Sequence, residues 1–265
     1  MIILKVGGGK GINWDYIAED LARVKEHVVV VHGANAWMGE IAEKLGAPER
    51  TITSPSGHVS RYTDARAMEV LTMVYSGLIN KKIVACLQRH GINAIGLSGA
   101  DGRIWLGKRK DHILSQEGNK VKVVSDSATG VVESVNAALL RQLVGAGYTP
   151  VLTVPAITHS GELINVDNDR AAAVMAKDLK AETIVMLFEA PGLLADLADE
   201  GSLVHEVAGM QLDAYLEKVQ GRMKKKLLGA REALSFGVEK IYFGDGRLPQ
   251  PLSSVLAGNG TLLKP

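Results

Sequence analysis

Met1-Ile2-Ile3-Leu4-Lys5-Val6-Gly7-Gly8-Gly9 opens the chain. An apolar run feeding straight into three glycines reads as a strand, Ile2–Val6, buried on both faces and ending in a loop. Glycine there lets the backbone come close to a ligand, and Lys5 puts a cation beside that loop. The arrangement recurs at Val28–His32, followed by Gly33-Ala34-Asn35, and at Ala94–Leu97, followed by Ser98-Gly99-Ala100-Asp101-Gly102. Pro150–Val154, Thr183–Leu187 and Lys240–Phe243 complete the candidate strands. Helical patterns lie between them, at Trp14–Lys25, Asn35–Leu45, Thr63–Gln88, Val135–Ala146, Arg170–Leu179 and Met223–Phe236. This alternation predicts an α/β fold on a doubly wound, mostly parallel sheet.

Residues 103–133 interrupt the alternation. Short strand patterns at Arg103–Lys108, Lys120–Val124 and Gly130–Glu133 predict an antiparallel hairpin insertion at one edge of the sheet. The stretch is basic, with Arg103, Lys108, Arg109, Lys110, Lys120 and Lys122 against Asp111 and Glu117. Lysines on a solvated edge strand guard against aggregation. The same charges also suit docking of an acidic partner. A lobe boundary is expected near Leu179–Glu182.

At 265 residues the chain is long enough for one large domain or two lobes. A net charge of +1 exerts no global pull toward nucleic acid or membrane, so any electrostatic partner site must be local. Cys86 is the only cysteine, which excludes an internal disulfide and fits a reducing compartment. Its apolar neighbours Ile83, Val84 and Leu87 place it in a helix core. The opening apolar run is too short for a signal peptide or a membrane span, and no other segment reads as transmembrane, so the expected location is cytoplasmic. Histidines are scattered without a Cys/His cluster, and no metal site is expected.

Three charged residues stand out. Asp169 ends Asn165-Val166-Asp167-Asn168-Asp169, just before an alanine-rich helix, and Lys226 ends Gly221-Arg222-Met223-Lys224-Lys225-Lys226. With Lys5 they make two cations and one anion, each where an element meets a loop. That suits transfer of a highly charged group, phosphoryl transfer first, because its catalysis is mostly positioning plus electrostatic stabilisation. Each has a plainer reading: Lys5 as a snorkelling strand-end lysine, the lysine run as a solvated face, Asp169 as a helix-dipole charge. The two early glycine loops lead toward helices, whose N-terminal N–H groups favour anions. No G-x-x-x-x-G-K-S/T occurs, and Gly7-Gly8-Gly9-Lys10-Gly11-Ile12 fails G-x-G-x-x-G at its last position.

Taken together, these segments resemble the amino acid kinase family, in its acetylglutamate-kinase-like branch, nearly end to end. Lys5-Val6-Gly7-Gly8 is similar to that family's K-x-G-G, Val31-His32-Gly33 to its V-H-G-G-G loop, and Arg61-Tyr62-Thr63-Asp64 to its R-x-T-D substrate motif. Asn165–Asp169 is similar to N-x-N-A-D, and Gly221-Arg222-Met223 with Lys226 to G-G-M-x-x-K. Within the branch, Ser60–Asp64, Met73–Lys81, Asn93–Gly99 and Gly221–Lys224 resemble the kinases of carrier-bound lysine and arginine biosynthesis. Those act on an α-aminoadipyl or glutamyl group attached to a small acidic amino-group carrier protein. The chain departs from the pattern at His32-Gly33-Ala34-Asn35, in place of the family's H-G-G-G, and at Phe188-Glu189-Ala190-Pro191-Gly192, in place of S-D/N-V-x-G.

The resemblance implies an αβα sandwich with an acceptor-binding lobe over residues 1–180 and an ATP-binding lobe over 181–265. It implies transfer of the γ-phosphoryl group of ATP to a carboxylate, with Mg²⁺ arriving on the nucleotide. Lys5 and Lys226 would neutralise the transferred group, and Asp169 would hold both lysines. Amides of Gly7, Gly8, Gly9, Gly33, Ala34 and Asn35 would cradle the phosphoryl oxygens. Arg61 and Asn165 would bind the acceptor, and Arg103, Lys108, Arg109 and Lys110 would dock the carrier. A homodimer is expected. Free N-acetylglutamate as acceptor, and a non-catalytic sensor on the same fold, are the alternatives.

Overall fold

The computed structural model describes every residue except Ser56, His58, Asn119 and Leu197. In chain order its strands are β1 (Ile2–Val6), β2 (Val28–His32), β3 (Thr51–Thr53), β4 (Val59–Arg61), β5 (Ala94–Ser98), β6 (Trp105–Arg109), β7 (Ile113–Glu117) and β8 (Lys120–Val124). They continue with β9 (Gly130–Val135), β10 (Thr149–Thr153), β11 (Ala156–Thr158), β12 (Leu163–Ile164), β13 (Thr183–Phe188), β14 (Glu206–Ala208), β15 (Lys240–Asp245) and β16 (Thr261–Lys264). The helices are α1 (Trp14–Leu21), α2 (Asn35–Lys44), α3 (Ala65–Thr72), α4 (Asn80–Arg89), α5 (Ala137–Gly145), α6 (Asn168–Leu179), α7 (Leu212–Lys218), α8 (Gly221–Ser235) and α9 (Pro251–Leu256).

Eight strands form one sheet in the order β14-β16-β15-β13-β1-β2-β10-β5. Only the β15–β16 pairing is antiparallel. β1 and β2 are buried along their whole length, as their uninterrupted apolar runs require. Helix α1 packs on α4 and on α9 against one part of this core, and α5, α6, α7 and α8 form a second packed series. The expected αβα layering is therefore present. The boundary expected near Leu179–Glu182 falls just before β13, which pairs with β1 inside one continuous sheet.

Residues 103–133 differ from the expectation. They do not extend an edge of the central sheet. β6 and β9 pair antiparallel and join β11 and β12 in a separate four-stranded sheet, while β7 and β8 form a hairpin of their own. The reason is that β11 pairs in parallel with β6 at Ile157–Leu106, which draws the insertion onto the segment after β10.

Two helices also change shape. The Thr63–Gln88 pattern forms a continuous helix from Ala65 to Arg89, with a π-helical stretch, Met73–Ile79, between α3 and α4. Its 25 residues have an 18-residue window of mean hydropathy 1.4, so one segment does reach membrane-spanning length and composition, contrary to the sequence reading. Half of that window is buried within the protein. Val135 belongs to β9 rather than to a helix, and Asn136 caps α5 by accepting from the Leu139 amide.

Candidate active site

β1 lies between β13 and β2, and α6 packs across it. The buried face of α6 carries Ala171, Ala172, Ala173 and Ala176, whose small side chains let the helix lie close to the sheet. Across α6 runs α8, and Gly229 packs against Asp169 where the two meet. A Cβ on Gly229 would lie 3.2 Å from Asp169 Cβ. Lys226 stands one turn before Gly229 on the same face of α8 and so points toward Asp169.

The three charges meet. Lys5 Nζ ion-pairs with Asp169 Oδ1, and Lys226 Nζ lies 3.7 Å from Asp169 Oδ2. Lys5, Asp169 and Lys226 are 6%, 7% and 8% exposed, so neither lysine is a snorkelling or solvated side chain. Asp169 does lie in the first turn of α6, where a negative charge suits the helix dipole, but it is not the cap. Asp167 takes that place, accepting from the Asp169 and Arg170 amides. Burial presses Asp169 toward its neutral acid, but Lys226 and Lys5 outweigh it and bring its pKa down to about 2. Burial is also the main influence on Lys226, and although Asp169 opposes it, Lys5 adds to it and the pKa falls to about 8. Burial lowers Lys5 too, yet Asp169 outweighs it and holds that ammonium above its ordinary value.

The glycine loops meet beside this triad. A Cβ on Gly8 would lie 2.4 Å from the Ala34 nitrogen and 2.6 Å from that of Asn35, so only glycine allows this contact of backbones. The Ala36 amide donates to Gly8 O at 2.9 Å and ties the loops together. Two of the expected cradle amides are already committed, Gly7 N to Leu187 O and Gly33 N to Val6 O. Those of Gly8, Gly9, Ala34 and Asn35 have no acceptor among the described residues. Ala34 has φ −146°, open to any residue, and its methyl is fully buried. The buried His32 imidazole donates from Nδ1 to Gly33 O and accepts at Nε2 from Asn80. Burial lowers its pKa to about 4, so it braces the loop as a neutral ring.

On the other side lies Arg61, at the end of β4. Its Nε donates to Glu49 Oε1, and it also contacts Tyr75. Burial disfavours the guanidinium charge, but Tyr75 and Glu49 more than compensate and raise its pKa. Asn165 Nδ2 donates to Thr63 Oγ1 at 2.9 Å, which joins the Arg61–Asp64 and Asn165–Asp169 segments. One cavity of 740 Å³ takes in Lys5, Gly7, Gly8, Gly9, Gly33, Asn35, Arg61, Asn165, Asp169 and Lys226.

The basic cluster is not brought together. Lys110 lines the cavity, and Lys108 is exposed on β6. Arg103 precedes the start of β6, at the end opposite Lys110. Arg109 turns inward, donating to Ser127 O at 3.1 Å and Ser125 O at 2.9 Å and pairing with Glu162.

Sequence reasoning missed three groups in the cavity. Glu49 partners Arg61, Tyr75 is carried by the π-helical stretch, and Glu189 accepts from the Gly11 amide at 2.7 Å. Glu189 was visible only as part of a departing motif, and nothing in a periodic pattern marks a π-helical turn. A Cys/His cluster also exists after all. Cys86 and His90, one turn apart on and after α4, both contact Asp15 of α1, an assembly the C-x-x-x-H spacing could have flagged.

Two curated relatives align over essentially the whole chain. The LysW-aminoadipate kinase of Deinococcus radiodurans is 50% identical, covering 99% of this chain and 91% of that protein. The LysW-aminoadipate kinase of Thermus thermophilus is 47% identical over the full length of both. Among solved structures, N-acetylglutamate synthase from Neisseria gonorrhoeae superposes with a TM-score of 0.80 at 19% identity, over all of this chain and 59% of that one. That likeness concerns the fold alone. The buried lysine–aspartate–lysine group, the paired glycine loops and the profile matching residues 1–245 agree: the chain belongs to the amino acid kinase family.

Proposed function

We propose that this protein transfers the γ-phosphoryl group of ATP to the side-chain carboxylate of an α-aminoadipyl, or glutamyl, group held on a small acidic carrier of the LysW type. The observation that carries the reading is the Lys5–Asp169–Lys226 group, buried at the junction of two glycine loops. The names of the two relatives favour this acceptor over free N-acetylglutamate.

The acceptor carboxylate is already a nucleophile, so no base is needed. One of its oxygens bonds to the γ-phosphorus as the bond to the bridging oxygen of ADP breaks. ADP leaves with that electron pair, and no proton moves. The chain's task is to hold two anions in line and to stabilise spreading charge. Lys5 approaches from the acceptor side, Lys226 from the nucleotide side, and Asp169 orients both. Amides of Gly8, Gly9 and Asn35, which line the cavity, would cradle the phosphoryl oxygens, Ala34 being buried behind them, and Arg61 orients the acceptor.

Mg²⁺ would supply charge neutralisation on the nucleotide phosphates. Asp169 is engaged by two lysines and does not serve as its ligand. Glu189, exposed at the glycine loop, is the carboxylate placed to add to an ion held mainly by phosphates and water. Lys110, on the cavity wall, and Lys108 are the cations placed to meet an acidic carrier. A homodimer is part of this reading, and light scattering tests it.

The deciding experiment is hydroxylamine trapping of the acyl phosphate with ATP and either the carrier-linked acceptor or free N-acetylglutamate. Strong preference for the carrier-linked acceptor is expected. Equal or better use of free N-acetylglutamate would assign the protein to acetylglutamate phosphorylation, and no trapped product with either would leave a sensor.

A further inference from the structure

Asn35 is the first residue of α2 and faces the cavity between the glycine loops. A loop built only for backbone approach would carry glycine here, and this chain carries a side chain. Its Oδ1 accepts a hydrogen bond from the Tyr75 hydroxyl. With that oxygen engaged, the amide NH₂ is left without an acceptor among the described residues, in a residue that lines the same cavity as Lys5, Gly8 and Gly9. Tyr75 is 3% exposed and cannot swing away.

The π-helical stretch explains why Tyr75 reaches this place. Widening one turn of the long helix shifts its side chains relative to α-helical register, and such turns are frequent at functional sites. Ser76, the next residue, donates to Val154 O at 2.8 Å and pins the same turn to the end of β10. Arg61 and Tyr75 line the same cavity.

Resting on the kinase reading above, we propose that Asn35 donates its side-chain amide to the phosphoryl group in transfer. Tyr75 is the positioning residue that fixes the amide's orientation.

The test compares wild type, Asn35→Ala, Tyr75→Phe and the double variant. Two readouts are used: trapped acyl phosphate, and binding of ADP with aluminium fluoride, a planar mimic of the phosphoryl group. Asn35→Ala should lower kcat about ten- to a hundredfold, the range for one hydrogen bond to a charged group. It should weaken aluminium fluoride–ADP binding in parallel and leave ADP binding alone unchanged. Tyr75→Phe should lower kcat in the same direction, and the double variant should be no slower than Asn35→Ala, since the two act as a unit. Near wild-type kcat with unchanged mimic binding in Asn35→Ala would overturn the proposal, as would losses that multiply in the double variant. If Tyr75→Phe does not fold, Asn35→Asp replaces it, because a carboxylate accepts from Tyr75 but donates nothing. An Asn35→Asp variant with wild-type turnover overturns the proposal. Wild type that binds the mimic yet phosphorylates no carboxylate would refute the acceptor reading while the binding data still judge Asn35.

Discussion

The Lys226 ammonium lies 4.8 Å from the centre of the Phe188 ring, which itself packs edge-on against Phe243. Phe188 is a departure from the resembled motif, and the structure gives the ring a place beside a charge of the site. The ring face supports the ammonium form. Burial has already brought Lys226 down to about 8, and only the ammonium neutralises a phosphoryl group, so kcat should fall as pH rises through about 8. Phe188→Leu keeps apolar bulk and removes the ring, which should move that limb down by about half a unit to one unit. A pH profile of kcat decides it, and an unmoved limb would mean the ring only packs.

Lys5→Ala and Lys226→Ala should each lower kcat by about 10²–10³, the cost of removing one such donor, with much smaller change in KM for ATP. Each ammonium is aimed at charge that develops in transfer. Steady-state kinetics on either variant checks this, and near wild-type kcat would be incompatible with the assigned roles.

Asp169→Asn should be nearly inactive yet keep a cooperative melt, because the amide preserves shape and loses the charge that orients two lysines. It should also change acid stability. The folded pKa of Asp169 is about 2, below the ordinary 3.8, so its contribution is complete above about pH 4 and lost as pH falls toward 2. Between those values wild type should lose about 2 kcal/mol more than the Asn variant, read from denaturant midpoints.

Gly8→Ala should damage folding and catalysis together. Its methyl would meet the backbone nitrogens of Ala34 and Asn35, atoms that cannot rotate aside. Overpacking of this kind costs about 1–3 kcal/mol, and the displaced loops should lower kcat besides. A melting temperature and kcat both equal to wild type would show that the loops are not held as described.

Lys108 and Lys110 should separate from Arg109. Replacing both lysines with Ala should raise KM for the carrier-linked acceptor, and added salt should reproduce the defect in wild type. Arg109→Ala should instead destabilise the fold by about 1 kcal/mol, chiefly because it strands the part-buried Ser127 carbonyl. Kinetics at two salt concentrations with thermal melts distinguish the two effects.

The central sheet was legible because burial on both faces leaves a direct mark: Ile2–Val6 and Val28–His32 admit almost no polar residue, and both are strands with those bounds. The triad was legible because Lys5, Asp169 and Lys226 each end an element at a loop. Their meeting was not, since it depends on the close α6–α8 approach that alanines and Gly229 allow between helices that lie far apart in the chain. The 103–133 insertion went to the wrong sheet because strand partners are chosen by tertiary pairing, and alternation says nothing about which edge is free. Arg109 and Lys110 are adjacent and alike in sequence, yet one is anchored inward and the other faces the cavity. Tyr75 shows the same limit: a π-helical turn redirects a side chain without any change in hydrophobic period. Composition and periodicity determine which elements form and which faces they bury. The direction of a single side chain, and the partner it meets, is decided only when the elements pack.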